Sequence, residues 1–244
     1  SFGTTGKIIA NFGVGNDVAR SVIQQADGKL VAAGYSSKSN NFDFALVRYN
    51  ANGSLDTTFN STGKVTTAIG SGSDNAYSVT QQADGKLVAA GGSSNGSNAD
   101  FALVRYNANG SLDTTFNNTG KVTIGIDNDT DEAYSVVQQA DGQLVAAGIS
   151  YNGSNWNFAL VRYNTNGSPD TTFNSTGKVT TAFYANRSGL ARSVIQQADG
   201  KLVAAGYNRN GSNDAFALLR YNANGSLDAT FNGTGKVTTV IGSG

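Results

Sequence analysis

The sequence predicts an all-β fold made of repeated four-stranded sheets. Three observations carry that expectation: a period of about 57 residues, a hairpin signal at a fixed place in each period, and strands that are apolar on both faces. Gln-Ala-Asp-Gly recurs with its aspartate at Asp27, Asp84, Asp141 and Asp199, 57, 57 and 58 residues apart, and a fixed period of this kind marks a repeat architecture. In the same register stand Phe-Ala-Leu-Val-Arg-Tyr-Asn from Phe44, Phe101 and Phe158, and from Phe216 with Leu219 in place of valine. A third block, Thr-Gly-Lys-Val-Thr, places lysines at Lys64, Lys121, Lys178 and Lys236, and opens the chain as Thr5-Gly6-Lys7-Ile8-Ile9.

Within one period the pattern predicts four strands, A to D, near residues 19–25, 29–34, 44–50 and 64–68. Asp27-Gly28 between A and B predicts a two-residue type I′ turn, whose central positions both need positive φ. Abundant Gly, Asn and β-branched residues, with no sustained 3.6-residue apolar period, exclude helices. Strand B (Leu30-Val-Ala-Ala) and strand C (Phe44-Ala-Leu-Val) lack the alternation of a sheet with one wet face, so each sheet must be covered on both sides. Sheets packed face to face in this way form a β-propeller with one four-stranded antiparallel blade per repeat. A β-solenoid fits less well, because its parallel coils do not suit the tight Asp-Gly hairpins.

The expected organisation is a single domain over 1–244, with repeats 12–68, 69–125, 126–182 and 183–240 and residues 1–11 as an extra outer-type strand. Four blades then have one strand too many. Residues 7–10 and 236–240 compete for one outer edge; overlap closure is expected, and pairing with an edge of another chain is the alternative, giving self-association through a terminal strand.

The blocks Phe-Gly/Asn-x-Thr-Gly-Lys-Val, Ser-Val-x-Gln-Gln-Ala-Asp-Gly-Lys-Leu-Val-Ala-Ala-Gly and Phe-Ala-Leu-Val-Arg-Tyr-Asn-Ala-Asn-Gly-Ser-Leu-Asp recur in order across the chain. In this the chain resembles the bacterial delta-60 repeat family. The resemblance implies a β-propeller and a place in large secreted or surface proteins of bacteria. It implies no shared activity and no catalytic motif.

Composition removes most catalytic chemistry. Without His or Cys there is no disulfide, thiolate nucleophile or Ser-His-Asp triad, and any metal would be held by oxygen, which favours calcium or magnesium. Lys+Arg and Asp+Glu balance at 17 each, and charged residues make up 14%, so no basic field draws nucleic acid. No apolar run of roughly 18 residues argues for membrane insertion, and residues 1–4 are no signal peptide. A chain without an initiator Met reads as processed or excised, and absence of Cys fits an extracellular or cell-surface location.

Alternating strand directions place the D–A and B–C connections on one rim and the A–B and C–D turns on the other. The A–B and C–D turns are nearly identical among repeats, as in Asn50-Ala-Asn-Gly-Ser-Leu-Asp56 and Asn107-Ala-Asn-Gly-Ser-Leu-Asp113. The other rim diverges, and diversified loops on a repeated scaffold are where binding resides. Candidate ligand residues there are Lys38, Phe42, Tyr151, Trp156, Arg209 and Asp214, facing a protein or a glycan. Trp156 either stacks on a sugar or covers its own hairpin.

Asp127, Asp129, Asp131 and Glu132 form a local carboxylate cluster that partly resembles a calcium loop. Glu132 stands where that motif wants Gly and no distal Glu follows, so a solvated acidic loop is expected and no cofactor is required. Asp17, Asp74 and Asp131 share one repeat position, with Gly189 as the fourth, and read as turn caps before an acidic ring. Arg48, Arg105, Arg162 and Arg220 are expected to pair with Asp56, Asp113, Asp170 and Asp228 as structure. The Asn-Gly-Ser and Asn-Ser-Thr sequons read as turn chemistry. The function expected is a noncatalytic binding or assembly module. The alternatives are a lectin-like propeller and a polysaccharide-active enzyme, which would need two carboxyls facing one substrate.

Overall fold

The computed structural model describes residues 3, 5–38, 41–184, 187–210 and 213–241. Every regular element among them is a strand. The first sheet contains β1 (Asp17–Gln24), β2 (Leu30–Lys38), β3 (Asn41–Tyr49) and β4 (Lys64–Thr67). The second contains β5 (Asp74–Gln81), β6 (Leu87–Ser94), β7 (Ala99–Tyr106) and β8 (Lys121–Ile124). The third contains β9 (Asp131–Gln138), β10 (Leu144–Tyr151), β11 (Trp156–Tyr163) and β12 (Lys178–Thr181). The fourth contains β13 (Gly189–Gln196), β14 (Leu202–Asn210), β15 (Asn213–Tyr221) and β16 (Lys236–Thr239). Strands are neighbours in chain order, so each repeat forms one antiparallel propeller blade as expected. The hairpin strands run longer than the sequence suggests, because the B–C ladder continues to Lys38↔Asn41 and Asn210↔Asn213.

By internal contacts the chain divides into two compact units, Ser1–Thr123 and Ile124–Gly244. In the first unit one apolar core joins Val31, Phe44, Leu46 and Phe59 of the first repeat to Ala76, Val79, Leu87 and Ala89 of the second. In the second unit the equivalent core joins Val145, Phe158, Leu160 and Phe173 to Ala191, Val194, Leu202 and Ala204. The trailing face of a sheet, rich in phenylalanine and leucine, thus covers the leading face of the next, where alanines permit close approach. This answers the demand of strands apolar on both sides.

Two local expectations are corrected. The A–B turn is not type I′: Gly28 N donates to Gln25 O at 2.9 Å, Gln25 N donates to Lys29 O at 2.8 Å, and of the pair only Gly28 has positive φ, 80°. That is a three-residue loop, a type I turn closed by an αL glycine, which leaves Asp27 free to accept from Lys29 N at 3.1 Å. Residues 7–10, the expected extra strand, carry no strand. The outer edge of the first sheet is already taken by β4, with Phe44↔Thr67 and Leu46↔Val65, and β16 closes the fourth sheet through Phe216↔Thr239 and Leu218↔Val237.

Each first strand carries a bulge, at Arg20, Tyr77, Tyr134 and Arg192, where the register shifts against the second strand. The partner position is always glycine. A Cβ on Gly34 would lie 1.9 Å from the Val18 carbonyl oxygen, and on Gly91, Gly148 or Gly206 1.8 Å from the equivalent oxygen. Only glycine permits that approach.

The predicted arginine pairs are present in every repeat. Arg48, Arg105, Arg162 and Arg220 donate Nε to Asp56, Asp113, Asp170 and Asp228 at 2.7, 2.7, 2.6 and 2.7 Å. Each guanidinium also lies over a phenylalanine, from Phe59 to Phe231, at 4.5–4.8 Å. Burial pushes the Asp56 carboxyl up, but hydrogen bonds from Thr58 and the Arg48 charge outweigh it and hold the pKa at about 2.

Candidate functional site

Two of the B–C hairpins bring candidate rim residues together as cross-strand pairs, while Lys38 and Phe42 of the first hairpin have other partners. Tyr151 and Trp156 face each other at the tip of β10 and β11, with ring centroids 4.9 Å apart and a 44° tilt. Arg209 pairs with Asp214 across β14 and β15, at 3.0 Å and well exposed, and that carboxylate raises the Arg209 pKa. Phe42 packs edge-on against Tyr35, centroids 5.1 Å apart, and Tyr35 in turn accepts from Arg20 Nη2 at 2.8 Å. Lys38 ends β2 opposite Asn41, and its side chain lies outside what the structure describes.

In the acidic loop each carboxylate has its own hydrogen-bond donor. Among the described residues no group of three or more carboxylates converges on a point that could hold a cation. Asp127 accepts from Ser150 Oγ at 2.8 Å, Asp129 from Thr130 N at 2.8 Å, and Glu132 from Tyr134 Oη at 2.6 Å. Asp131 is fully buried and accepts from Ile126 N at 2.7 Å. Burial pushes its pKa up to about 6. Asp17 and Asp74 accept from Phe12 N and Ile69 N in the same way, at 2.8 and 2.6 Å, so this position caps the turn into the first strand of three repeats, and Gly189 stands there in the fourth.

A concavity lies on the trailing face of the fourth sheet. Ala205, Phe216, Leu218 and Val237 floor a groove of about 540 Å³, and Arg192, Tyr207 and Asp214 also line it. Phe216 is 65% and Leu218 36% exposed, whereas Phe44, Leu46, Phe158 and Leu160, at the same repeat positions, are fully buried. Arg192 sits over the Tyr134 ring at 4.2 Å and within 5.9 Å of Tyr207, so a cation fixed by two tyrosines borders the apolar floor.

Of the sequence candidates, only Asp214 lines this groove. Arg192, Tyr207 and Phe216 escaped the sequence reading. The available signal was the divergence of Arg20, Tyr77, Tyr134 and Arg192 at one register position, arginine in the outer repeats and tyrosine in the inner two, which the bulge displays. Phe216 gave no signal, because phenylalanine stands at this position in all four repeats.

Four stretches, residues 25–59, 82–116, 139–173 and 197–231, match a family described as a domain of unknown function, the DUF5122 beta-propeller. The chain belongs to this family. Each DUF5122 match runs from the second glutamine of the A–B turn to the phenylalanine beneath the arginine. The bulged residues therefore lie outside the matched stretches. No curated protein matches the chain. Among solved structures it is similar to a gluconolactonase from Xanthomonas campestris, at 14% identity and TM-score 0.45, covering 89% of this chain and 61% of that one. It is similar also to Sqt1 from Chaetomium thermophilum, at 14% identity and TM-score 0.46, covering 91% and 48%. A third is a polysaccharide lyase, a PL25 ulvan lyase, at 9% identity and TM-score 0.47, covering 89% and 56%. The chain spans less than two thirds of each of these three proteins.

Proposed function

We propose that this chain is a noncatalytic binding and assembly module of a bacterial extracellular or surface protein. The observation that carries the reading is the open groove of the fourth sheet: positions sealed in the first and third sheets stand exposed there, with Phe216 at 65%. An apolar floor edged by Arg192 and Asp214 suits a protein surface better than a small polar substrate. The rim carboxylates support the same reading, since Asp214 is held by Arg209 and Glu132 by Tyr134, whereas glycoside chemistry needs two carboxyls directed at one substrate. The Cys-free composition supports the location.

Sugar binding at the rim is a second reading, favoured by the Tyr151–Trp156 pair beside Asn152 and Asn155. A glycan array run beside a hydrolase and lyase screen tests both. Binding without turnover is expected; turnover abolished by Glu132→Gln or Asp214→Asn would overturn the noncatalytic reading.

A further inference from the structure

We propose that residues 7–10 are a pre-placed fourth strand for a sheet whose other three strands come from a second copy of this chain. The proposal rests on the assembly reading above and names the partner.

The evidence is a set of repeated bonds. Gly3 N donates to Asn52 O at 2.8 Å, as Asn60 N does to Asn109 O at 2.6 Å and Asn174 N to Asn224 O at 2.7 Å. Asn11 O accepts from Lys64 Nζ at 2.6 Å, as Ala68 O does from Lys121 and Gly125 O from Lys178, at 2.7 and 2.6 Å. Phe12 N donates to Asp17 as Ile69 N does to Asp74. Gly3, Asn11 and Phe12 thus hold, against the first sheet, the places that Asn60, Ala68 and Ile69 hold against the second. Residues 64–67 are the fourth strand of the sheet covering that second sheet; residues 7–10 hold the same place with no strand of their own.

The missing three strands must present a trailing face to the leading face of the first sheet. That leading face is open: Val22 is 66% exposed, whereas its equivalents Val79 and Val194 are 5% and 4% exposed. The matching trailing face, with Phe216 and Leu218, stands open on β13–β15. In both units a phenylalanine face covers a valine face, and a second copy supplies the phenylalanine face that Val22 lacks. The exchange costs the second copy only its four-residue ladder to β16. Lys7-Ile8-Ile9-Ala10 replaces Lys236-Val237-Thr238-Thr239 in register, bringing Ile8 opposite Leu218 and keeping the lysine. The new contact joins unlike surfaces, so association runs head to tail.

Sedimentation of the full chain over a concentration series should show dimers or larger species. Deletion of residues 1–12 and, separately, Phe216→Asp should each give folded monomers by circular dichroism and mass. An equimolar mixture of the two should give a dimer, because one variant keeps the acceptor sheet and the other the donor strand. The chain has no Cys, so Ile8→Cys chains mixed with Leu218→Cys chains should form disulfide-linked dimers under mild oxidation. The proposal is overturned by a wild type that stays monomeric, by association that survives deletion of residues 1–12, or by an Ile8→Cys, Leu218→Cys chain that closes its disulfide within one monomer. Catalytic turnover would overturn the module reading and leave this association standing, so the two failures are distinguishable.

Discussion

Arg162 donates Nη1 to the carbonyl of Ala223 in the next repeat at 2.5 Å, while its Nε holds Asp170. Arg48 reaches Ala108 O in the same way, at 2.6 Å. The buried arginine is therefore a clamp between successive repeats as well as the partner of its own aspartate.

Removing that aspartate strands a buried cation. Asp170→Ala should cost about 3–5 kcal/mol, read as a lowered urea midpoint, because the Arg162 side chain is only 9% exposed. Arg209→Ala removes an exposed, water-screened pair and should barely move the midpoint. Equal effects in the two variants would refute the clamp.

The bulge glycines should be intolerant for a reason unrelated to backbone freedom. Gly148→Ala puts a Cβ 1.8 Å from the Glu132 carbonyl oxygen, a backbone atom with no room to retreat, and should cost at or above the upper end of the roughly 1–3 kcal/mol of overpacking. Gly153→Ala, in open space at φ 85°, should cost about 1–2 kcal/mol from left-handed backbone alone. Thermal melts of both variants rank them.

Acid should act through two opposed sets of carboxylates. Asp56, Asp113, Asp170 and Asp228 have depressed pKa values in the fold, so the unfolded chain binds more protons as pH falls below about 4 and stability is lost there. Asp131 is the reverse. With a pKa of about 6 in the fold, against 3.8 ordinarily, it binds protons more tightly when folded, so its contribution declines as pH rises from about 4 to 6. Asp131→Asn should flatten the stability profile between those values and leave the acid limb below pH 4 intact; an unchanged slope between pH 4 and 6 would contradict the shift.

Trp156, the single tryptophan, reports on its hairpin. Tyr151→Ala should shift its emission to longer wavelength while costing only about 0.2–1 kcal/mol, the range of one cross-strand pair. If the rim binds sugar, a saccharide titration should quench Trp156 fluorescence, and Tyr151→Ala should weaken that binding at least several-fold.

The sequence by itself determined the repeat, the four strands of each sheet, the exclusion of helix and the arginine–aspartate pairs, because strands apolar on both faces, hairpin residues and opposite charges recurring at a fixed period can all be read along the chain. It also put Tyr151, Trp156, Arg209 and Asp214 on one rim as candidates, and the hairpin registers of the structure then pair them. Only the tertiary structure decided the rest. Asp27-Gly28 takes a type I turn because the hydrogen bonds of the whole loop select it. The acidic loop is dispersed because Asp131 turns inward to cap Ile126. Phe158 and Phe216 stand in the same sequence block, yet one is sealed and the other 65% exposed: burial belongs to the neighbour that covers a face, and that neighbour is fixed by place in the array rather than by the residues of the strand.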